Sequence, residues 1–213
     1  MLLQGGAVTS AWVGKAAVCI ATGPSLTQAQ FEAVRAAREA DVVRVIAVND
    51  AYLMAPFADI LYYADPKWLA WQLAGRERKW PWRRFSAEEV RQAFAGFAGQ
   101  RCSVRPDGKT HPGTEYLKIL NSDGLSLDRN GICTGMNSGH QALNIAVLSG
   151  ANPVLLLGYD AKRGVHGAHA FGEHPDGTQP PYAEMLKAMR TTQLPLAQLG
   201  VNVVQLSADG TAA

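Results

Sequence analysis

Several features that mark large protein classes are scarce or missing in this sequence. Its only cysteines are Cys19, Cys102 and Cys133. They are too few and too far apart for a disulfide framework, and no Cys-x-x-Cys pair indicates structural zinc. No apolar run approaches the roughly twenty residues of a membrane-spanning helix, and the amino-terminal residues lack the charged start and long apolar core of a signal peptide. We therefore expect a cytoplasmic protein without a transmembrane segment.

The charge balance is too small to identify a partner. The formal net charge is +2, whereas nonspecific nucleic-acid binders usually carry a larger positive charge, so we expect no nucleic-acid partner. Hydrophobic residues make up 47% of the 213 residues and charged residues 18%. This composition favours a folded domain with a sizeable core over disorder, and it is compatible with a homo-oligomer.

Apolar runs and helical patterns alternate along the chain. Runs of apolar residues predict buried strands at 16–21, 42–48, 59–64, 154–157 and 201–206, with a further short strand at 101–104. Helical spacing predicts helices at 26–40, 67–74, 86–97 and 182–199, and a buried helix that begins at 137 or 138. The alternation predicts an α/β fold of the Rossmann-like, doubly wound type, with a mostly parallel sheet and helices on both faces.

Capping residues define several of the predicted helix ends. Ser25 and Gln28 have capping-box spacing at the start of the first helix, and Ser86 and Glu89 have the same spacing at a later one. Gly150 predicts a left-handed stop at the end of the buried helix. These signals fix where the chain turns between strands and helices.

Residues 67–130 fit the alternation less well. They carry repeated turn signals, including His111-Pro112-Gly113, Asp123-Gly124 and Asn130-Gly131, with only short candidate strands between them. We therefore predict a single α/β domain over residues 1–213, in which residues 67–130 form an irregular insertion or lid.

Polar residues follow nearly every predicted strand. They are Thr22, Gly23 and Ser25 after the first strand, Asn49 after the second, Asp65 after the third and Asp160 after the strand at 154–157. Because parallel strands end along one edge of a sheet, we expect these residues to share a crevice at that edge. Asn49, Asp65 and Asp160 each have a structural alternative, since Asn and Asp commonly close strands by bonding their own backbone.

Two glycine-containing turns lie at the same edge and lead into helices. Gly23-Pro24-Ser25 follows the first strand, and Asn137-Ser138-Gly139 precedes the buried helix. Backbone N–H groups at a helix start bind phosphate, so both turns are candidate phosphate-binding sites. The alternative for each is a tight turn that only caps its helix, because neither matches a Walker loop or a G-x-G-x-x-G fingerprint.

Three histidines, His166, His169 and His174, lie on a glycine-rich loop after Asp160. A histidine at this edge could act as a general base near neutral pH. The competing interpretations are a metal site and a solvated loop. We expect no metal, because the spacing matches no helical His-x-x-x-His pair.

A tryptophan-rich and basic segment spans residues 68–84. Aromatic side chains that stack and basic side chains that bind phosphate are typical of a nucleic-acid or acidic-membrane surface. Because a nonspecific nucleic-acid binder usually has a higher overall charge, we favour an acceptor-recognition or oligomer surface. The alternative is that Trp68 and Trp71, at helical spacing, anchor a helix on the core while the basic residues form a solvated face.

Four stretches of the chain, taken in order, resemble a known family. They are Val18-Cys19-Ile20-Ala21-Thr22-Gly23-Pro24-Ser25-Leu26, Asn49 with Tyr52, Tyr62-Tyr63-Ala64-Asp65-Pro66, and Asn137-Ser138-Gly139 through Leu157-Gly158-Tyr159-Asp160. In this order they resemble the small bacterial sialyltransferases that use CMP-sialic acid. The pattern is also similar to the family that contains archaeal 6-hydroxymethylpterin diphosphokinase, whose Thr-His-Ala corresponds here to Ala168-His169-Ala170. Residues 67–130 are unmatched.

The sialyltransferase resemblance implies a glycosyltransferase that binds a CMP-activated sugar without an essential metal and transfers the sugar to a hydroxyl of a glycan or small acceptor. The implied nucleotide-binding residues are Gly23, Pro24, Ser25, Asn49, Asp65, Asn137, Ser138, Gly139 and Asp160. A loop histidine, His169, His174 or His166, would deprotonate the acceptor hydroxyl. Tyr182 or Arg163 would stabilise the departing phosphate.

The diphosphokinase resemblance implies a different reaction. Its ligand would be ATP with Mg²⁺, and Asp65 or Asp160 would help to hold the metal. A third hypothesis is a non-catalytic, nucleotide-binding accessory protein that keeps the fold but lacks a working base.

Overall fold

The computed structural model of the protein describes residues 2–104, 108, 110–174 and 176–206. Along the chain the elements are β1 (Leu3–Gln4), β2 (Ala7–Val8), β3 (Ala16–Ile20), α1 (Gln28–Glu39), β4 (Val43–Val48), a 3-10 turn (Asn49–Leu53), β5 (Ile60–Tyr62), α2 (Pro66–Ala74), β6 (Arg78–Trp80), β7 (Arg83–Phe85), α3 (Ala87–Ala95), β8 (Gln100–Val104), β9 (Thr114–Asn121), β10 (Gly131–Cys133), α4 (Ser138–Leu148), β11 (Val154–Leu157), α5 (Tyr182–Arg190), α6 (Gln193–Leu199) and β12 (Val203–Leu206).

Eight of these strands form one parallel sheet. Their order is β10-β9-β8-β5-β4-β3-β11-β12, and every neighbouring pair is parallel. Two separate antiparallel hairpins, β1 with β2 and β6 with β7, lie outside it. The Rossmann-like α/β fold predicted from the sequence is therefore confirmed. None of the helices in the described part of the chain combines the length and apolar composition that crossing a membrane requires.

Both faces of the sheet are buried. Along β4, Val45 and Ala47 belong to one hydrophobic cluster together with side chains of α1, α2 and α3, whereas Ile46 and Val48 belong to another with α4 and α6. All four side chains are at most 2% exposed. Burial on both faces explains why the central strands are unbroken apolar runs in the sequence.

The strand order reverses next to β3. From β3 the chain adds β4, β5, β8, β9 and β10 on one side, and it then returns through α4 to β11 on the other side of β3. In open α/β sheets, ligands bind outside the carboxyl ends of the strands at such a reversal. The position to inspect is therefore the carboxyl edge between β3 and β11.

Residues 67–130 are not separate from the sheet. β8 and β9 lie within this range and pair in parallel with β5 and with each other, while α2, β6, β7 and α3 pack on one face. The strand pattern in this range is weak in the sequence for a physical reason. Only Leu117 of β9 is buried, so this strand near the sheet edge lacks the apolar run that marks the central strands.

Several predicted helix ends are present in the structure. Asn137 caps α4 by accepting a hydrogen bond from the backbone N–H of His140. Gly150 follows α4 with a φ of +83°, as expected for a left-handed stop. Ser86 and Glu89 form the capping box of α3.

Two helix boundaries differ from the prediction. The cap of α1 is Thr27, which forms a capping box with Gln30. Ser25 does not cap this helix, and its backbone N–H donates to Asp160 instead. The last long helix is divided into α5 and α6, because Pro195 in the first turn of α6 has no N–H to continue a helix through that point.

The tryptophan-rich, basic segment contributes a buried ion pair to the core. Arg78 Nε donates to Asp50 Oδ1 at 2.7 Å, and the two side chains are 4% and 3% exposed. Trp68 Nε1 donates to Asp50 Oδ2 at 3.0 Å, and Gln72 Nε2 donates to Oδ1 at 3.2 Å. The carboxylate is thus fully hydrogen-bonded, which a buried charge requires in order to be tolerated.

Only part of this segment is therefore exposed on the protein surface. Trp68, Arg78 and Trp80 are buried, in agreement with the alternative in which tryptophans anchor α2 on the core. The exposed basic residues are Arg76, Lys79, Arg83 and Arg84. An acceptor-recognition or oligomer surface can involve the exposed residues, but not the three buried ones.

We expect Asp50→Ala to lower the free energy of unfolding by about 3–5 kcal/mol, because it leaves the Arg78 guanidinium buried without its partner. The measurement is urea unfolding followed by circular dichroism. Arg91→Gln is the matched control, since the Arg91–Glu88 pair is exposed on both sides and is screened by solvent. The double variant Asp50→Leu with Arg78→Met should recover much of the loss. Equal effects of Asp50→Ala and Arg91→Gln would contradict the structural role of the pair.

Candidate functional site

A crevice of about 380 Å³ lies at the carboxyl ends of β3, β4 and β11. Its walls come from the ends of these strands, the start of α4, the loop that follows β11 and one face of α5. Ten residues named from the sequence line it: Gly23, Pro24, Asn49, Asp65, Asn137, Ser138, Gly139, Asp160, His169 and His174. Ser25 and His166 are not among the lining residues, and His166 is exposed.

The turn after β3 is held by the turn after β11. The backbone N–H of Gly23 donates to the carbonyl of Gly158 at 2.9 Å, and the backbone N–H of Ser25 donates to Asp160 Oδ2 at 2.9 Å. A Cβ atom at Gly23 would lie 2.2 Å from Asp160 Oδ2, so only glycine fits there. The Asp160 carboxylate thus takes the place that an anion would occupy on this turn, and neither Gly23 nor Ser25 has its N–H available for phosphate.

The start of α4 is more open. Asn137 Oδ1 accepts from the backbone N–H of His140 at 2.8 Å, while the N–H groups of Ser138 and Gly139 make no hydrogen bond to any described residue. Both residues line the crevice, and α4 is 11 residues long. Unpaired N–H groups and the helix dipole make this end of α4 the better candidate for an anion.

Gly139 is fixed by packing against the end of β11. The Tyr159 hydroxyl donates to the Gly139 carbonyl at 2.9 Å, and a Cβ atom at Gly139 would lie 2.9 Å from the Tyr159 ring. Tyr159 therefore sets the distance between the start of α4 and the turn after β11. Sequence reasoning identified the glycine but not this partner, which lies 20 residues further along the chain.

Asn49 combines backbone strain with an unsatisfied polar atom. It follows β4 directly and has a φ of +50°, a left-handed conformation that asparagine tolerates better than most residues. Its Oδ1 is buried and has no hydrogen-bond partner among the described residues. A buried carbonyl oxygen without a partner is costly. A ligand in the crevice that donates a hydrogen bond to Asn49 would remove this cost.

Two of the three loop histidines are joined to the sheet by hydrogen bonds. His169 Nδ1 lies 3.0 Å from Thr22 Oγ1, and His169 Nε2 lies 2.9 Å from His174 Nε2. The Phe171 ring stacks on His169, with 4.9 Å between ring centroids and an interplanar angle of 7°. Thr22 was noted in the sequence as a strand-end residue but not as a site residue, since its histidine partner is 147 residues away.

Burial makes His169 hard to protonate. Loss of solvation, followed by the neighbouring His174, lowers the pKa of His169 from its ordinary 6.5 to about 4, and Glu173 opposes this shift. His169 is therefore neutral at physiological pH. It can hold or pass on a hydrogen bond, but it is a weaker proton acceptor than a solvated imidazole.

The opposite wall of the crevice is apolar and includes Met185, Leu186 and Met189 of α5, with Met136 before α4. Leu186 is 45% exposed and Met136 is 61% exposed, so these side chains present apolar area to the crevice. None of them was named as a site residue from the sequence. Together with the polar strand ends, they make the crevice suited to a ligand with one polar and one apolar end.

One lysine is the best placed cation at the crevice. Lys162 lines it and forms no ion pair with any described residue, whereas Lys67 is paired with Asp176 at 3.2 Å. Arg163, which the family resemblance implied for the phosphate, is hydrogen-bonded to Glu173 and Gln179. Its charge is already compensated.

Two further residues implied by the resemblances have structural partners. Tyr182 lines the crevice, and its hydroxyl donates to the Ala168 carbonyl at 3.2 Å. Asp65 lines the crevice and also caps α2, because its Oδ1 accepts from the backbone N–H of Lys67 at 2.8 Å. Within the described residues, no group of three or more His, Cys, Asp or Glu side chains is arranged to hold a metal ion.

Neither a protein-family model nor a curated protein matches the chain. The sialyltransferase and diphosphokinase resemblances therefore rest on their short motifs alone. The function has to be argued from the geometry of the crevice.

We expect the stability of the protein to fall as the pH is lowered from 6.5 to about 4. In this window unfolded His169 is protonated and folded His169 is not, so the unfolded state binds more protons and is favoured at the lower pH. The shift of His169 corresponds to a loss on the order of 3 kcal/mol. Buried His140 has a pKa shifted in the same direction and adds to the fall.

The pH dependence can be assigned by urea unfolding at pH 7 and pH 4.5. His169→Gln should reduce the difference in unfolding free energy between the two pH values. His166→Gln, on the exposed part of the same loop, should leave that difference unchanged. If the two variants show the same pH dependence, His169 is not held neutral by its surroundings.

Proposed function

We propose that this protein is a transferase that binds a nucleotide-activated sugar, of the CMP-sialic acid type, and transfers the sugar to an acceptor hydroxyl. One observation carries the proposal. A hydrogen-bonded pair of histidines and the open start of a helix face the same crevice at the strand reversal. The first supplies a proton acceptor and the second an anion site, and group transfer from a nucleotide needs both.

The two ends of the crevice suggest how a donor would lie. Its phosphate would accept hydrogen bonds from the N–H groups of Ser138 and Gly139 and would be near the Lys162 charge. A hydroxyl or amino group of the donor would satisfy Asn49 Oδ1. The nucleobase of the donor would pack on the methionines of α5, whose flexible thioether side chains adapt to planar rings.

The chemistry follows from these positions. The acceptor oxygen attacks the anomeric carbon, the bond from that carbon to the phosphate oxygen breaks, and the acceptor proton passes to an imidazole nitrogen. The negative charge that develops on the departing phosphate is stabilised by the N–H groups of α4 and by Lys162. No metal is required for this balance of charge.

A diphosphokinase acting on Mg-ATP is the second candidate. The observation that favours it is the presence of Asp65 and Asp160 on the same crevice, since Mg²⁺ in phosphoryl transfer is commonly held by one or two carboxylates together with the substrate phosphates. Each carboxylate has one oxygen in a backbone hydrogen bond, Asp65 Oδ1 with Lys67 and Asp160 Oδ2 with Ser25. The other oxygen of each would be the candidate metal ligand.

The nucleotide is tested by thermal unfolding with CMP, CDP, UDP and ATP, each with and without Mg²⁺. We expect CMP at about 100 times its Kd to raise the Tm by about 5 °C or more without Mg²⁺, because a ligand that binds only the folded state stabilises it. Stabilisation by Mg-ATP alone would support the diphosphokinase. Stabilisation without turnover of a CMP-sugar would support a non-catalytic accessory protein, and no stabilisation by any nucleotide would contradict the proposal.

The position of the phosphate is tested with a matched pair of lysine variants. Lys162→Gln should weaken nucleotide binding about tenfold, since it removes a charge-assisted contact. Lys187→Gln, on the exposed side of α5, should bind as the wild type does. Isothermal titration calorimetry measures both affinities. If Lys162→Gln and the wild type bind the nucleotide with equal affinity, the phosphate does not lie near Lys162.

A further inference from the structure

Thr22, His169 and His174 form a chain of two hydrogen bonds that ends at the crevice. The distances are 3.0 Å from Thr22 Oγ1 to His169 Nδ1 and 2.9 Å from His169 Nε2 to His174 Nε2. Thr22, His169 and His174 all line the crevice. A neutral imidazole has one N–H donor and one acceptor nitrogen, so two neutral rings satisfy both bonds in only two arrangements.

In the first arrangement the Thr22 hydroxyl donates to His169 Nδ1. His169 then carries its hydrogen on Nε2 and donates to His174 Nε2, and His174 carries its own hydrogen on Nδ1. The only lone pair of His174 is used within the chain. His174 is therefore not available as a base.

In the second arrangement every bond of the chain is reversed. His174 Nε2–H donates to His169 Nε2, and His169 Nδ1–H donates to Thr22 Oγ1. His174 Nδ1 then has a free lone pair, and it makes no hydrogen bond to any described residue. At the other end of the chain, the hydroxyl hydrogen of Thr22 is released for a different acceptor.

The surroundings of the pair do not fix either arrangement. Glu173, the carboxylate that acts on His169, is paired with Arg163. The rings next to the two histidines are those of Phe171 and Trp71. A histidine tautomer is usually set by a carboxylate or carbonyl on its second nitrogen. Here that position is taken by a hydroxyl, which both donates and accepts.

We propose that Thr22 is a positioning residue that couples donor binding to the base. An anionic oxygen that accepts a hydrogen bond from the Thr22 hydroxyl selects the second arrangement, and His174 Nδ1 becomes able to accept the acceptor proton. Because His169 takes part in both hydrogen bonds, a reversal of its bond with Thr22 also reverses its bond with His174, and His169 stays neutral. This inference rests on the proposed function, because it requires a phosphate-bearing donor in the crevice.

The test is ¹⁵N NMR of the histidine rings at pH 7.5, with CMP as the probe. Protonated and unprotonated ring nitrogens have distinct ¹⁵N shifts, so the hydrogen position on each ring can be followed. On saturation with CMP, we expect the share of molecules with hydrogen on His174 Nε2 and on His169 Nδ1 to increase. Saturating CMP that leaves both rings unchanged would overturn the coupling.

Two variants separate a positioning role from a structural one. Thr22→Val keeps the shape of the side chain and should bind CMP less tightly, because the hydroxyl contact is lost. At saturating CMP the tautomer change should be lost, and kcat for donor hydrolysis should fall. Thr22→Ser keeps the hydroxyl and should restore the tautomer change. The coupling is refuted if Thr22→Val shows the same tautomer change as the wild type. Failure of CMP and of the other nucleotides to bind at all would instead reject the proposed function, and the coupling with it.

Discussion

The pairing of β3 with β11 is the contact on which the rest of the crevice depends. Ala17, Val18, Cys19 and Ile20 lie opposite Val154, Leu155, Leu156 and Leu157 in parallel register. The chain segments beyond both strands therefore leave the sheet side by side. The backbone bond from Gly23 to Gly158 and the bond from Ser25 to Asp160 extend this pairing past the strands. A backbone bond from Ala170 to the Thr22 carbonyl then attaches the histidine loop to the same place.

The Asp50 carboxylate and the Asn49 side chain differ in how well their polar atoms are satisfied. The Asp50 carboxylate is buried and accepts from Arg78, Trp68 and Gln72, which leaves nothing for a ligand to add. At the crevice, Asn49 Oδ1 and the first N–H groups of α4 lack partners in the described structure. Among the described residues, unsatisfied buried atoms also occur away from the crevice, at Trp80 Nε1, Trp82 Nε1, Arg101 Nε and His111 Nδ1. Asn49 differs from them because it lines the crevice, where a ligand can supply the missing partner.

The sequence predicted those parts of the fold that are set by neighbouring residues. Buried strands such as β4 and β11 are continuous apolar runs, and the Asn137 cap and the Gly150 stop act within one turn of α4. β9 fell among the short candidate strands of residues 67–130 and was given no bounds, because a strand near the sheet edge buries too few residues to leave a clear pattern. The cap of α1 was misplaced by two residues, because Thr27 and Gln30 have the same capping-box spacing as Ser25 and Gln28.

The sequence predicted the candidate site to the same extent. The predicted roles of single residues were wrong where they depend on contacts with distant segments. The topology rule placed the strand-end residues on one edge, and most of them line the crevice. Their individual roles depend on contacts between distant segments. Asp160 occupies the turn that was expected to bind phosphate, and Arg78 is buried against Asp50 instead of lying on a binding surface. No short sequence pattern indicates which distant residues will pair in this way.

The histidine pair also addresses a physical conflict in the proposed reaction. A base must be held in a fixed orientation, which requires contacts and burial, but burial disfavours the charged form that the base has to adopt. With two rings, His169 supplies the fixed orientation and His174 takes the charge. Thr22 and Phe171 hold His169, whose low pKa keeps it neutral. His169 in turn orients His174 by a single hydrogen bond. The positive charge that forms on proton transfer stays on His174, because loss of solvation disfavours the charged form of His169.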